Sequence, residues 1–270
     1  MRATPASNPS SRPAGSRPGS SARHVGLRNY RRGECITLSA PSTTPKTVSC
    51  IRPHDFEMAG PALIDASVTD YPSTAEWRLL ITKQCDPVVA DYLGGPVDPR
   101  GRFAIDAVHP LRFLWDIEVA PRVIDCAVAA RPQRLSEVGQ PPKLKGSAHG
   151  ASQVVTFPIG SCLPILDSGR IGLPVDCSAP HALEVTGVVD ITGRIDHLPL
   201  AHELDAVIGP SCKTFAAQYL ARPLDGDLSS PWLSMAQQSW DANRRQMECL
   251  ISHGPPDERR AITGSIRSGA

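Results

Sequence analysis

Two strings of the form Cys-x-x-Pro-His-x-x-Glu place side chains with chemical potential at matching positions in this sequence. A thiolate, an imidazole and a carboxylate so close together could bind zinc, or could form a thiol nucleophile with its base. Structural zinc sites usually contain a Cys-x2-4-Cys pair, and the sequence has none, which favours a structural role for the strings. They comprise Cys50, Pro53, His54 and Glu57, and Cys177, Pro180, His181 and Glu184.

The eight cysteines form two sets of four, and each set allows three disulfide pairings. We expect the first cysteine of each set to pair with the second, across a hairpin, and the third with the fourth, joining a helix to a last strand. The expected pairs are Cys35–Cys50, Cys85–Cys126, Cys162–Cys177 and Cys212–Cys249. Disulfides persist outside the cytoplasm, so this pattern favours an extracytoplasmic location.

An internal repeat relates the two sets, and self-similarity of this kind identifies duplicated units. At a constant offset of 127 residues, three cysteines of the first set superpose on three of the second, and the Pro-His-x-x-Glu strings superpose with them. We therefore expect two four-cysteine modules, at residues 33–128 and 160–252.

Each module has the pattern of strand, strand, strand, helix and strand. In the first module the strand candidates are Glu34–Leu38, Thr47–Ile51 and Phe56–Ile64, and the last of these corresponds to the Val-rich segment Leu183–Ile191 of the second module. Apolar residues then recur at spacings of three and four near 75–93 and 201–221, and a final strand carries the last cysteine at Arg122–Val128 and Arg245–Ser252. Pro87 and Pro210 fall within the helical spans and are expected to break or kink them. The predicted fold class is α+β: two tandem repeats, each a small antiparallel sheet with one main helix, stapled by disulfides.

His54 and His181 are predicted to be structural residues, hydrogen-bonded to backbone or to Glu57 and Glu184. A carboxylate beside an imidazole stabilises its charged form. The other histidines do not recur between the copies, so a duplicated active site could not use them. We expect no catalytic residue, no cofactor and no bound metal.

Composition excludes several function classes. The chain has 28 basic and 27 acidic residues and only 5% aromatics, which argues against nucleic acid as a partner. Phosphate-binding glycine loops, a GxSxG elbow and HExxH are all absent from the sequence. No apolar run approaches the roughly 18 residues of a membrane helix, and the first residues lack a secretory signal. These absences favour a soluble chain and leave a cytoplasmic location as the alternative.

Three segments are predicted to lie outside the modules. Residues 1–28 are rich in Ser, Pro and Arg, which is typical of a disordered basic tail that could associate peripherally with acidic lipid. Residues 131–150 are rich in Pro, Gly and Lys and are expected to form a linker. Residues 254–270 are expected to form a disordered polar tail.

The repeated string resembles the septum-formation domain of high-GC Gram-positive bacteria, in two tandem copies. The resemblance rests on Gly33, Cys35, Cys50, Pro53, His54, Glu57 and Cys85, with Gly160, Cys162, Cys177, Pro180, His181, Glu184 and Cys212 in the second copy. It implies an extracytoplasmic, non-catalytic domain, often attached to the membrane by one N-terminal helix and linked to envelope work at the division site. This sequence departs from that pattern in showing no such helix.

Three functional hypotheses follow. The leading one is a non-enzymatic envelope interaction module that binds an envelope protein or a cell-wall polymer. The second is a metal- or thiol-dependent enzyme that uses Cys50 with His54 and Cys177 with His181. The third is a cytoplasmic redox-sensing protein.

Overall fold

A computed structural model describes residues 23–24, 30–38, 45–116, 122–140, 142–255 and 257–268. Most of the predicted basic tail, residues 1–28, lies outside the described residues. The strands are β1 (Arg23–His24), β2 (Cys35–Thr37), β3 (Lys46–Val48), β4 (Phe56–Leu63), β5 (Phe103–His109), β6 (Val123–Ala130), β7 (Cys162–Leu163), β8 (Leu183–Asp190), β9 (Leu228–Ser229) and β10 (Gln246–His253). The helices are α1 (Thr74–Leu93), α2 (Arg112–Trp115), α3 (Ala201–Leu220) and α4 (Gln237–Asp241), with 3-10 turns at Leu135–Glu137 and Ile266–Ser268.

The first half of the chain forms a six-stranded sheet in the order β1-β5-β6-β4-β2-β3. All its strand pairs are antiparallel except the edge pair of β1 with β5. Strand β5 was not expected, and neither was the pairing of β1, which lies in the segment predicted to be a disordered tail. Strand β5 falls in the stretch where the two copies differ in length, so the repeat gave no indication of it.

The second half forms a four-stranded antiparallel sheet in the order β7-β8-β10-β9. Its long central strands β8 and β10 pair with each other, as β4 and β6 do in the first sheet. Strand β9 has only two residues. The observed architecture is therefore a mixed α/β protein with two sheets, each carrying one long helix.

Each long helix packs an apolar stripe against its sheet. Helix α1 buries Ile81, Cys85 and Val89 at spacings of four residues, and α3 buries Ile208, Cys212 and Ala216 in the same way. Both helical predictions are confirmed. Among the described residues, no helix combines the length and hydropathy that crossing a membrane requires.

Pro87 and Pro210 do not end their helices, contrary to the expected break. Each lies inside a continuous 20-residue helix. A proline leaves the carbonyl four residues earlier without its helical donor. Here the prolines and the residues that carry those carbonyls, Lys83 and Ala206, are all exposed, so water can replace the missing donor.

All eight cysteines are paired, and the four disulfides are Cys35–Cys50, Cys85–Cys126, Cys162–Cys177 and Cys212–Cys249. These are the pairs expected from the sequence. In each half, one disulfide crosses the N-terminal strands and the other joins the long helix to the last long strand. The helix–strand sulfurs lie in the hydrophobic core, where all four cysteines are fully buried.

Two segments expected outside the modules are part of the fold. The predicted linker pairs Leu144 with His54 in an isolated antiparallel bridge, and the predicted C-terminal tail pairs Ile262 with His181. Leu144 and Ile266 are buried, so each segment gains apolar burial on ordering, which its polar composition concealed. The expectation of a linker at 131–150 and a disordered tail at 254–270 was therefore wrong for the described parts of these segments.

Polar contacts also join the two halves. The Arg100 guanidinium of the first half donates to the Ser234 carbonyl at 2.8 Å and to Glu248 Oε2 at 3.2 Å in the second half. Glu248 is buried within β10. The halves thus share buried charges across their boundary.

Candidate functional site

The first Pro-His-x-x-Glu string lies at the turn that leads into β4. Pro53 is exposed and restricts the backbone before His54, whose side chain is fully buried. The backbone of His54 exchanges two hydrogen bonds with Leu144, at 3.0 and 2.8 Å. Gly146 N–H donates to the Cys50 carbonyl at 2.8 Å, which ties the same segment to the cysteine.

Glu57 accepts several hydrogen bonds while fully buried on β4. Its Oε1 accepts from the Tyr92 hydroxyl of α1 and from the Ser147 hydroxyl at 2.5 Å. Its Oε2 accepts from the backbone N–H of Ala148 at 2.6 Å. Burial and the adjacent Glu57 carboxylate raise the pKa of Tyr92 far above its ordinary value, so the hydroxyl stays protonated and donates.

Glu184 has the same surroundings in the second half. The carboxylate accepts from the Tyr219 hydroxyl of α3 at 2.7 Å, from the Ser265 hydroxyl at 3.0 Å and from the Ile266 N–H at 2.6 Å. Burial and Glu184 raise the pKa of Tyr219 to about 12. Each buried carboxylate is thus held by a tyrosine, a serine and a backbone amide.

The two histidines differ in their second ring nitrogen. His181 Nδ1 faces the Ala179 carbonyl at 2.9 Å and Nε2 faces Glu184 Oε1 at 3.2 Å. Both ring nitrogens of His181 therefore face acceptors. His54 Nδ1 faces the Arg52 carbonyl at 2.8 Å, but Nε2 is 3.9 Å from Glu57 and has no hydrogen-bond partner among the described residues.

The chemistry of the donors argues against a metal site in either His–Glu cluster. Cys35 Sγ, a ring nitrogen of His54 and a carboxylate oxygen of Glu57 lie within 4.8 Å of one another, and Cys162, His181 and Glu184 do the same. A thiolate is the metal-binding form of cysteine, whereas Cys35 and Cys162 are in disulfides. Both carboxylates are also occupied by protein donors. With the disulfides closed, the clusters do not fit zinc.

The structure brings together the string residues that the sequence singled out and adds partners that it did not. The added partners are Tyr92, Ser147 and Ala148 in the first half and Tyr219, Ser265 and Ile266 in the second. A Gly-Ser dipeptide follows the last cysteine of each set, at Gly146-Ser147 and Gly264-Ser265. That recurrence is the signal from which these segments could have been found.

Two surface grooves lie among the described residues. One is formed by the loop before α1 and by α1 itself, and Leu79 on its rim is 72% exposed. Its lining comprises residues 67–72 with Glu76, Leu79, Leu80 and Lys83. A second lies between β4 and α1, beside Gly60 and Pro87. Neither groove includes a residue of the Pro-His-x-x-Glu strings.

The fold and the site define a class of protein: a disulfide-bonded α/β protein of two halves, each with a buried histidine beside a buried glutamate. Comparison with known sequences identifies the family. A family described as "Septum formation" matches residues 32–249. The chain belongs to this family, as the repeated motif implied.

Two relatives from Mycobacterium tuberculosis strains are similar to the chain. They are "Uncharacterized membrane protein Rv3835" of strain H37Rv and "Uncharacterized membrane protein MT3943" of strain CDC 1551. Each is 31% identical over 236 residues, which is 81% of this chain. The chain spans about half the length of these relatives, at 51%. No solved structure matches the chain.

Proposed function

We propose that the chain is a non-enzymatic, extracytoplasmic module of the cell envelope, made of two tandem copies of one unit and linked to septum formation. The observation that carries the proposal is the burial of the histidine and glutamate side chains of the repeated motif. His54, Glu57, His181 and Glu184 are at most 1% exposed. A general base must reach a proton of the substrate. These side chains are buried in internal contacts, so a substrate cannot reach them.

The matched networks support tandem duplication. In both halves, a carboxylate on the third expected strand accepts from a tyrosine of the long helix, a serine and a backbone amide of a following segment. Gly33 and Gly160 both adopt positive φ, at 81° and 85°, and both donate to the carboxylate-bearing strand. One ancestral unit explains both sets of contacts.

The cysteines and the relatives support an extracytoplasmic compartment. Four disulfides with no free cysteine are typical of proteins outside the cytoplasm. The relatives are named membrane proteins, and their additional length could supply an anchor that the described part of this chain does not contain.

A partner needs a surface, and the groove beside α1 is the surface we propose. It combines apolar side chains such as Leu79 and Tyr71 with the charged groups of Asp70, Glu76 and Lys83. Such a mixture suits an envelope protein or a cell-wall polymer with amide and hydroxyl groups.

The experiment places a photo-crosslinking amino acid at Leu79 in the exported protein, in dividing actinobacterial cells. Leu200, which is 62% exposed at the start of α3, is the matched control position. We expect light-dependent adducts with an envelope protein or cell-wall fragment from Leu79 and not from Leu200, and enrichment of a fluorescent fusion at septa. Uniform distribution without position-dependent adducts would contradict the proposal.

Counting thiols under denaturing conditions, with metal analysis of the same sample, separates the proposal from its rival. Zero thiols and no zinc support the envelope module. Four or more thiols with zinc would support the metal- or thiol-dependent enzyme at Cys50–His54 and Cys177–His181.

A further inference from the structure

The four disulfides differ in accessibility. Cys85–Cys126 and Cys212–Cys249 are fully buried at both ends. In Cys35–Cys50 and Cys162–Cys177 the first sulfur belongs to a buried residue and the second to a partly exposed one. A thiolate can therefore approach Cys50 or Cys177 from solvent, and the buried sulfur would be the leaving group.

In the described part of the first half, the His54 ring lies close to the leaving sulfur and one of its nitrogens has no hydrogen-bond partner. His54 Nε2 is buried without a hydrogen-bond partner among the described residues, and a His54 ring nitrogen lies within 4.8 Å of Cys35 Sγ. Leaving a buried polar atom without a hydrogen-bond partner carries a desolvation penalty. His54 Nδ1 is already committed to the Arg52 carbonyl, so Nε2 is the atom left to interact with a sulfur.

We propose that Cys35–Cys50 is a thiol–disulfide exchange site for a low-molecular-weight thiol, with His54 as the proton donor to Cys35. The attacking thiol loses its proton to solvent, and its sulfur forms a bond to Cys50 Sγ. The Cys35–Cys50 bond breaks and its electron pair passes to Cys35 Sγ. The reacting form of His54 is the imidazolium, whose Nδ1–H donates to the Arg52 carbonyl and whose Nε2–H gives the sulfur a proton, leaving a neutral imidazole. Solvent then returns a proton to His54. The products are a mixed disulfide at Cys50 and a thiol at Cys35.

Opening the Cys35–Cys50 disulfide gives His54 Nε2 a hydrogen-bond partner, which it lacks among the described residues while the disulfide is intact. A Cys35 thiol can donate a weak hydrogen bond to neutral Nε2, and a Cys35 thiolate can accept one from the imidazolium. In the second half, His181 Nε2 is already engaged by Glu184 at 3.2 Å, so Cys162 lacks an equally free donor. Cys162–Cys177 is therefore an internal comparator with similar exposure and the same loop length.

The test uses the oxidised full chain and reduced glutathione under native conditions. The reaction is quenched with acid, free thiols are alkylated, and peptides are mapped by mass spectrometry. We expect glutathione on Cys50 and the alkyl group on Cys35, appearing about tenfold or more faster than the corresponding products at Cys177 and Cys162. General acids typically contribute about 10²–10⁴-fold, and the expected ratio lies below that range because the comparator retains a histidine.

His54→Gln should slow formation of the Cys50 adduct about tenfold, whereas His181→Gln should leave that rate unchanged. Equal wild-type rates at Cys50 and Cys177, or glutathione on Cys35 in place of Cys50, would overturn the proposal. If His54→Gln unfolds the protein, glutathione will also open Cys85–Cys126, and that opening reveals the unfolding. The proposal is then decided by the wild-type rates at Cys50 and Cys177. The reaction involves no envelope partner, so its failure would leave the proposed envelope function standing, and the reverse also holds.

Discussion

Arg244 Nε donates to Asp98 Oδ2 at 2.8 Å across the boundary between the two halves, and both side chains are buried to within 1%. Asp98 follows α1 in the first half, and Arg244 precedes β10 in the second. Asp98 Oδ1 accepts from the Ser239 hydroxyl at 2.8 Å. The remaining guanidinium donors reach the Val155 and Arg100 carbonyls at 2.9 and 3.0 Å. Because the ion pair is satisfied on every side, the boundary is a specific interface.

Asp98→Asn should destabilise the protein by about 3–5 kcal/mol, because it leaves the Arg244 charge buried without its partner. The measurement is the free energy of unfolding from guanidinium titration with the disulfides intact. Asp225 is the control, since it occupies the position 127 residues later and pairs with Arg222 on the surface. Asp225→Asn should change the free energy by about 0–1 kcal/mol. Equal effects of the two substitutions would show that the interface pair contributes little.

Glu57→Gln should cost about 1–3 kcal/mol or more in unfolding free energy, because an amide NH₂ replaces an acceptor that faces several donors. Glu184→Gln is the matched variant and should lose a comparable amount, since Glu184 has the same kinds of donors. Tyr92→Phe removes one donor and leaves the carboxylate its other partners, so it should cost less, about 0.5–1.5 kcal/mol. If Glu57→Gln retained wild-type stability and a ligand or activity were lost, a functional role for the carboxylate would replace the structural one.

The sequence predicts those features that depend on spacing. Hairpin and helix–strand distances follow from cysteine positions, and the helices follow from their three- and four-residue periodicity. The segments that complete each carboxylate site were missed because each buries few apolar residues within a polar stretch, as Leu144 and Ile266 show. The contact of Asp98 with Arg244 was missed for another reason. The pairing of an acid with a base across the boundary depends on how the halves pack, and local composition does not encode that packing.

Removing the Cys85–Cys126 disulfide should destabilise the protein more than removing Cys35–Cys50. The sequence separations are 41 and 15 residues, and the loop-entropy relation gives about 4 and about 3 kcal/mol. Cys85 and Cys126 also lie in the core, so replacing them with alanine loses packing as well. Paired alanine variants compared by thermal or denaturant unfolding provide the measurement. A larger loss from the Cys35/Cys50 pair would mean that the hairpin contributes more than its loop length implies.

Asp125 and Glu248, the acids that precede the last cysteine of each half, should respond in opposite directions to neutralisation. Burial raises the pKa of Asp125 to about 6. In the folded state its proton is held more tightly than in the unfolded chain, whose ordinary value is 3.8. The contribution of Asp125 to the free energy of unfolding is therefore highest below about pH 4, and it falls as the pH rises through about 6.

Asp125→Asn should remove that penalty and stabilise the protein at pH 7 by about 1 kcal/mol, after allowance for the partial exposure of the side chain. At pH 3.5 the same substitution should have little effect, because the aspartate is protonated in the folded state and mostly protonated in the unfolded state. Glu248 is buried against Arg100, so Glu248→Gln should instead cost about 1.5–3 kcal/mol at pH 7. Denaturant unfolding of both variants at pH 3.5 and pH 7 is the measurement. A stability loss for Asp125→Asn at pH 7 would show that the carboxylate has a stabilising partner in solution and that its burial is not the dominant effect.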